Sequence, residues 1–285
     1  MSTLKIAVQK SGRLNEDSIK LLKNCGIRIE NGKDQLKASA ANFPLDVLYL
    51  RNGDIPQYVE DGVADIAIVG ENLLVETGND VEVVRKLGFS KCKLSLAVPK
   101  DTNYPGPEFF EGKKIATSYP NTVKQYMEKV GVKTEVHVIK GSVEIAPNIG
   151  LAEGICDLVS SGSTLFKNGL VEKDIILQSE AVLVKNKNLT AEQEELLETI
   201  LFRLDAVQKG EKSKYVLMNA PNDKVDEIIK VLPGMKSPTV VPLAEEGWSS
   251  VHTVMEESKF WEVIDQLKGA GAEGLLIVPI EKMVL

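Results

Sequence analysis

Cysteine, histidine and arginine are all scarce in this chain, and each scarcity removes a class of function. Its three cysteines, Cys25, Cys92 and Cys156, lie far apart with no CxxC pair, which excludes a zinc ribbon and a disulfide framework and fits a reducing compartment. The two histidines, His137 and His252, have neither a nearby nucleophile nor metal-ligand spacing, so a histidine triad or zinc site is not indicated. No run reaches the roughly 20 apolar residues of a membrane helix. The opening MSTLKIAVQKSGRL lacks the apolar core of an export signal, and a cytoplasmic protein is expected. Neither GxGxxG nor GxxxxGK[ST] occurs, which excludes a dinucleotide fingerprint and a P-loop. A basic excess is missing too. The formal charge of -7 and pI near 5.2 argue against a general nucleic-acid binder, since such proteins need a broad basic face to displace counterions.

What is present reads as α/β. Short runs rich in Val, Ile and Leu, such as LKIAVQ, ADIAIVG, LSLAVP, KKIATS and CDLVSS, alternate with helical patterns and Gly or Pro breaks. That pattern predicts largely parallel strands buried on both faces. At 285 residues the chain has room for two or three units with real cores. Two phrases recur. Lys5-Ile6-Ala7 and Lys114-Ile115-Ala116 each precede a polar loop and a helical segment, and GxxDxxxxGxxL occurs from Gly62 to Leu73 and again from Gly154 to Leu165. The repeats suggest two similar lobes with their loops turned toward a shared cleft, where open α/β sheets bind ligands.

The second copy of that phrase, GICDLVSSGSTL, runs from an apolar strand into four hydroxyl residues around one glycine. It reads either as a polar loop or as a phosphate cradle. Gly162 is free to take φ > 0, and Ser160, Ser161, Ser163 and Thr164 are small enough for backbone N–H groups to converge on an anion at a helix start. Asp157, just upstream, is placed to cap a loop or to accept hydrogen bonds from ribose hydroxyls. Cys156 reads as core. Only five arginines stand against 29 lysines. Arg13 and Arg51 each follow a strand, and a planar guanidinium holds phosphate in a fixed geometry that lysine does not offer; a surface ion pair is the alternative for each.

After the charged helix TAEQEELLETILFRLDAVQKG, the order of predicted elements becomes βαββαβ, a ferredoxin-like split βαβ arrangement. From Lys214 onward there are seven lysines, no arginine and eleven acids, so this tail is not expected to grip an anionic substrate.

The stretches KIAVQKSGRL, RNGDIPQYVEDGVADIAIVGENLL, KIATSYPNT, GSVEIAPNIGLAEGICDLVSSGSTLFKNGL and GAEGLLIVPIEKM together resemble the long-form ATP phosphoribosyltransferases, over nearly the whole chain and in order. The resemblance implies a two-lobed α/β core like a type II periplasmic binding protein, followed by an ACT-like regulatory domain. The expected limits are 1–97 for the first lobe (completed by 180–212), 98–179 for the second and 213–285 for the tail. It also implies the first reaction of histidine biosynthesis: Mg²⁺-dependent transfer of phosphoribosyl from 5-phosphoribosyl 1-diphosphate to N1 of the ATP adenine, releasing pyrophosphate. Ser160 to Thr164 would then cradle the 5-phosphate and Asp157 would approach the ribose. Lys10, Gly12, Arg13, Arg51 and Asp54 match positions on the nucleotide and diphosphate side, and Glu71 and Tyr119 fall in cleft loops. Mg²⁺ would be held mainly by the substrate diphosphate.

By the same resemblance the tail senses L-histidine through Asn219, Met235, Thr239 and Gly274, between subunits of a dimer that assembles into a hexamer. At Asn219 some relatives carry aspartate and others histidine. Two rivals share the lobed layout: a non-catalytic cytoplasmic binding protein, and prephenate dehydratase, which is disfavoured because no TRDF-like stretch occurs.

Overall fold

The computed structural model describes residues 2–30, 36–160, 162–232 and 237–284. The chain divides into two compact units, Met1–Lys23 with Ile27–Leu196, and Asn24–Gly26 with Leu197–Leu285. Within the first unit the strands are, in order, β1 (Leu4–Gln9), β2 (Lys37–Ser39), β3 (Leu45–Leu50), β4 (Ile66–Gly70), β5 (Glu82–Lys86), β6 (Cys92–Pro99), β7 (Lys114–Thr117), β8 (Glu135–Val138), β9 (Gly154–Val159), β10 (Leu170–Ser179) and β11 (Ala181–Lys185). The helices are α1 (Arg13–Asn24), α2 (Ile55–Glu60), α3 (Glu71–Thr77), α4 (Pro120–Val130), α5 (Ser163–Lys167) and α6 (Ala191–Lys212), whose later turns belong to the second unit.

These strands form two sheets, ordered β2-β3-β1-β4-β11-β5 and β10-β6-β9-β7-β8. They are the two lobes of the expected α/β core. In each, three strands run parallel: β3, β1 and β4 in the first, β8, β7 and β9 in the second. The remaining pairings are antiparallel, so the sheets are mixed rather than largely parallel. The reason is the chain path. It leaves the first sheet after β5, enters the second through β6, and returns through β11, and a strand arriving from the other lobe runs against its neighbours. β6 pairs wholly within the second sheet, so the first lobe's leading segment ends its strands at Lys86 and residue 97 falls inside the second lobe's sheet.

The continuous apolar runs are explained by burial on both faces. In β4, Ile66, Ala67, Ile68 and Val69 are all buried, as are Val182, Leu183 and Val184 of β11 beside them. One face of this sheet packs Ala7, Ala67, Val69, Val182 and Val184 against Ile55 and Val59 of α2. In the second lobe Leu94, Leu96, Ile115 and Cys156 pack with Phe110 and with Val123 and Met127 of α4. Cys156 is buried core, and burial raises its thiol pKa well above the usual range.

The repeated GxxDxxxxGxxL phrase does not fold identically twice. Gly62 sits in a turn at φ +71, which puts Asp65 just ahead of β4. There it accepts the Lys5 backbone N–H at 2.6 Å and the Gln193 amide at 2.8 Å. Gly154 opens β9 itself, which carries Asp157 to the fourth position of the strand, near the cleft end. The same spacing yields a structural carboxylate in one lobe and a site carboxylate in the other.

The second unit contains β12 (Ser213–Pro221), α7 (Val225–Val231), β13 (Thr239–Pro242), β14 (Trp248–Glu256), α8 (Glu257–Gly269) and β15 (Glu273–Pro279). The sheet order β13-β14-β12-β15, with all three pairings antiparallel, is the ferredoxin-like arrangement expected of the tail. Alternate residues Val216, Met218 and Ala220 of β12, with Val251 and Met255 of β14, pack on Ile228, Phe260 and Leu267 of the two helices. No helix among the described residues is long and apolar enough to cross a membrane.

Candidate active site

Parallel pairing in register aligns the carboxyl ends of the first lobe's strands. Gln9 of β1 lies opposite Leu50 of β3, and the two following loops are tied by the Lys10 N–H, which donates to the Leu50 carbonyl at 2.7 Å. The first loop turns at Gly12 (φ +89), a left-handed conformation that a side chain would strain. Arg13 then opens α1 with its side chain 75% exposed and its Nε 3.9 Å from the Asp17 carboxylate. The second loop carries Arg51 and, after a tight turn, Asp54, both exposed. Beyond β4, Glu71 starts α3 and pairs with Lys86 at 3.2 Å.

In the second lobe, β9 brings Asp157 to the same cleft. Its carboxyl is pushed above the usual range, chiefly by burial, against a 2.8 Å hydrogen bond from the Leu158 N–H, with nearby Glu144 adding to the rise. A half-buried carboxylate with so few donors favours a ligand that brings hydroxyl hydrogens. The chain then turns through Ser160 and Gly162 (φ +73) into α5, opened by Ser163 and Thr164. Asp157, Ser160, Gly162, Ser163 and Thr164 line one cavity of about 200 Å³ together with Glu144. Ser161 lies outside the described residues.

Two further cavities adjoin this one at Ser160. One of about 360 Å³ is lined by Gln9, Arg13, Asn52, Asn72 and Lys91 among others; the Asn52 Oδ1 is buried without a hydrogen-bond partner among the described residues. The other, of about 410 Å³, is lined by Glu71, Lys86, Lys91, Lys93 and Ser179 among others. Ser160 borders all three, and Cys92 borders the two larger ones. The structure thus brings Arg13, Glu71, Asp157 and the described hydroxyl loop to one set of connected cavities. Lys10, Gly12, Arg51 and Asp54 stand in the neighbouring loops and do not line these three cavities.

Tyr119, the residue before α4, reaches back to the first lobe, where its hydroxyl accepts a 3.3 Å hydrogen bond from the Asn72 amide. Burial, with the Asp157 charge nearby, raises its phenol to about 12, so it stays neutral at physiological pH. Asn72 is the residue that sequence reading missed. Its backbone N–H donates to the Ser179 hydroxyl at 2.9 Å, and that hydroxyl donates back to the Asn72 Oδ1 at 2.9 Å. Asn72 stands beside Glu71 in the GENLL phrase, but its partner is 107 residues away, which no local spacing reveals.

In the tail, Asn219 of β12 faces Glu273 of β15, and Gly274 beside it holds φ +59. A Cβ at Gly274 would stand 3.2 Å from the Asn219 amide nitrogen. These two expected effector positions are neighbours. Thr239 lies on β13, with β14 between it and β12, and Met235 lies outside the described residues.

Comparison with known proteins is consistent with this layout. Residues 51–206 match the family model described as ATP phosphoribosyltransferase, and residues 210–282 match the model for its C-terminal domain. The chain is 57% identical over 282 residues to an ATP phosphoribosyltransferase of Phocaeicola vulgatus, covering 99% of this chain and 100% of that one. It is 55% identical to one of Cytophaga hutchinsonii, covering 100% of both. Among solved structures, a chain of the ATP phosphoribosyl transferase (HisG:HisZ) complex from Thermotoga maritima matches with a TM-score of 0.62 at 30% identity, over 71% of this chain and 96% of that one. The lobed core, the C-terminal sheet and these full-length likenesses agree, and the chain belongs to the ATP phosphoribosyltransferase family.

Proposed function

We propose that this chain transfers phosphoribosyl from 5-phosphoribosyl 1-diphosphate to N1 of the ATP adenine, releasing pyrophosphate and opening histidine biosynthesis. The observation that carries the mechanism is the cavity in which a half-buried acceptor, Asp157, stands beside a glycine-turned hydroxyl loop, joined at Ser160 to a second cavity lined by Arg13. In this reading Ser160 to Thr164 bind the 5-phosphate through hydroxyls and backbone N–H groups. Asp157 accepts the ribose hydroxyls, which fixes the sugar so that C1 faces the Arg13 side. Lys10, Arg13 and Arg51 supply positive charge where pyrophosphate departs, and Gly12, Asp54, Glu71 and Tyr119 shape the nucleotide side. Displacement at an anomeric carbon builds oxocarbenium character, so electrostatic stabilisation and positioning supply the rate. Adenine N1 is the nucleophile, and no covalent enzyme intermediate is needed.

Among the described residues no group of three or more metal-ligating side chains occurs. In this reading Mg²⁺ is carried mainly on the oxygens of the sugar diphosphate, the hard donors it prefers. When bound, it neutralises charge on the leaving pyrophosphate.

In the tail, the adjacency of Asn219 and Gly274 supports a histidine-binding role, shared with Met235 and Thr239 in a site between neighbouring subunits. The edge strands β13 and β15 expose Val241 (45%) and Leu276 (60%). Uncovered apolar edges of this kind favour pairing with another copy, in keeping with a dimer that forms hexamers. The protein is placed in the cytoplasm.

The test follows the ultraviolet absorbance of adenine in purified protein with ATP, 5-phosphoribosyl 1-diphosphate, Mg²⁺ and pyrophosphatase. A change that needs both substrates and is suppressed by L-histidine is expected. No turnover with intact histidine binding would make the chain a sensor.

A further inference from the structure

The 360 Å³ cavity has two cations in its lining, Arg13 and Lys91, and no carboxylate. In a chain of net charge -7 that combination is selective for an anion. Sequence spacing singles out Arg13 but not Lys91. Lys91 sits in the segment that carries the chain from β5 to β6, and it lines both the 360 Å³ and the 410 Å³ cavities. Its neighbours in the larger cavity are already neutralised: Lys86 by Glu71 at 3.2 Å and Glu180 at 4.0 Å, Lys93 by Glu172 at 2.7 Å. Lys91 is exposed and has no ion-pair partner among the described residues.

The backbone that presents it is unusual. Ser90, immediately before Lys91, holds φ +49, a conformation that non-glycine residues seldom adopt without a local reason. Here the reason is a hydrogen bond: the Ser90 hydroxyl donates to Asp17 Oδ2 at 3.1 Å. The same oxygen is the one 3.9 Å from the Arg13 Nε. One carboxylate oxygen therefore lies against both the guanidinium and the turn that carries Lys91.

We propose that Lys91 is a second phosphate-binding cation of the site, and that Asp17 is the positioning residue that sets it and Arg13 around one polyphosphate group. The pairing is chemically complementary, since arginine offers a planar fork and lysine a mobile point charge. The ligand is a phosphoanhydride chain, either the diphosphate of the sugar substrate or the triphosphate of the nucleotide. The proposal rests on the transferase reading and adds a residue to it.

The experiment compares wild type with Lys91→Gln, Lys91→Arg, Asp17→Asn, the double variant Asp17→Asn/Lys91→Gln, and Lys129→Gln as a control for net charge. Calorimetric binding of magnesium pyrophosphate and of ATP is measured alongside KM for each substrate and kcat. Lys91→Gln is expected to weaken one polyphosphate by about tenfold, the loss of one charge-assisted hydrogen bond. KM should rise more than kcat falls, Lys91→Arg should restore binding, and Lys129→Gln should match wild type. A loss confined to pyrophosphate and the sugar substrate assigns the diphosphate; one confined to ATP assigns the triphosphate. Asp17→Asn should weaken the same ligand, and less so when Lys91 is already gone. Unchanged binding of both ligands by Lys91→Gln overturns the Lys91 assignment, and strictly additive losses overturn the role of Asp17. Absence of turnover in wild type would instead sink the transferase reading, so the two failures are distinguishable.

Discussion

Thr122 gives both of its hydrogen-bond donors to one oxygen of Glu76, the backbone N–H at 2.9 Å and the hydroxyl at 2.8 Å. Glu76 lies on α3 of the first lobe and Thr122 in the first turn of α4 of the second. The Asn121 N–H reaches the other carboxylate oxygen at 3.0 Å. Helix α4 begins with Pro120, and Tyr119 before it makes no side-chain cap, so the cap comes from the opposite lobe. Replacing Glu76 by Ala removes it at a cost of about 1 kcal/mol, a fall of roughly 2–4 °C in melting midpoint for a protein of this size. Thermal unfolding checks this, and a variant as stable as wild type would show that water replaces the cap without loss.

Two glycines should resist alanine for different reasons. At Gly162 a Cβ meets nothing within 4 Å, but φ is +73, so the penalty is conformational, about 1 kcal/mol. Because the turn shapes the hydroxyl loop, KM for the sugar diphosphate should rise several-fold. At Gly154 a Cβ would lie 2.7 Å from the Phe110 ring and 2.8 Å from the Ala97 carbonyl oxygen. Overpacking of that kind costs about 1–3 kcal/mol. Denaturant titration and steady-state kinetics on both variants separate the two effects.

Asp157 has a raised carboxyl pKa in the folded chain, mainly through burial. As pH rises, the unfolded chain loses this proton first, so the group's stability contribution is fully present below the ordinary aspartate pKa and is lost on rising through the folded value. The Asp157→Asn variant should therefore gain stability relative to wild type as pH climbs across that window, while losing turnover. Ribose hydroxyls donating to the carboxylate would pull its pKa back down, so binding of the sugar diphosphate within that window should release protons. Calorimetry in buffers of different ionisation enthalpy measures that release; its absence would remove Asp157 from the ribose.

At Gly274 the Cβ of alanine would crowd the Asn219 amide at 3.2 Å, on a backbone already at φ +59. Gly274→Ala is expected to weaken inhibition by L-histidine by more than it changes uninhibited turnover. Equal histidine sensitivity in wild type and variant would count against a tail site at this position.

Some of this was legible in the sequence for definite reasons. β1, β4 and β7 announced themselves because strands buried on both faces are unbroken apolar runs, and the tail because β-branched runs alternate with turns and two helices. Helix α6 is legible from its long charged pattern. Strand direction was not. Nothing in the run AVLVK, Ala181–Lys185, says that β11 returns to the first lobe and lies antiparallel between β4 and β5. Asp65 and Asp157 show the limit of spacing, since an identical phrase places one before its strand and the other within it. The hydroxyl loop could be read because its chemistry is contiguous. Asn72 with Ser179 could not, because their bond joins the start of α3 in the first lobe to the end of β10 in the second, 107 residues further along the chain.

That return crossing governs how the protein can be made. Among the described residues β5 pairs in its sheet with β11 alone, so a nascent chain that has exposed Lys86 holds an edge with no partner until Ala181 to Lys185 emerge. At ribosomal speeds the interval is on the order of ten seconds, long enough for premature association to compete with folding. Ribosome-bound chains truncated between these two strands should therefore be protease-sensitive throughout β5, and of two fragments from a gene split between the lobes, the first should complete its sheet only when mixed with the second, which carries β11.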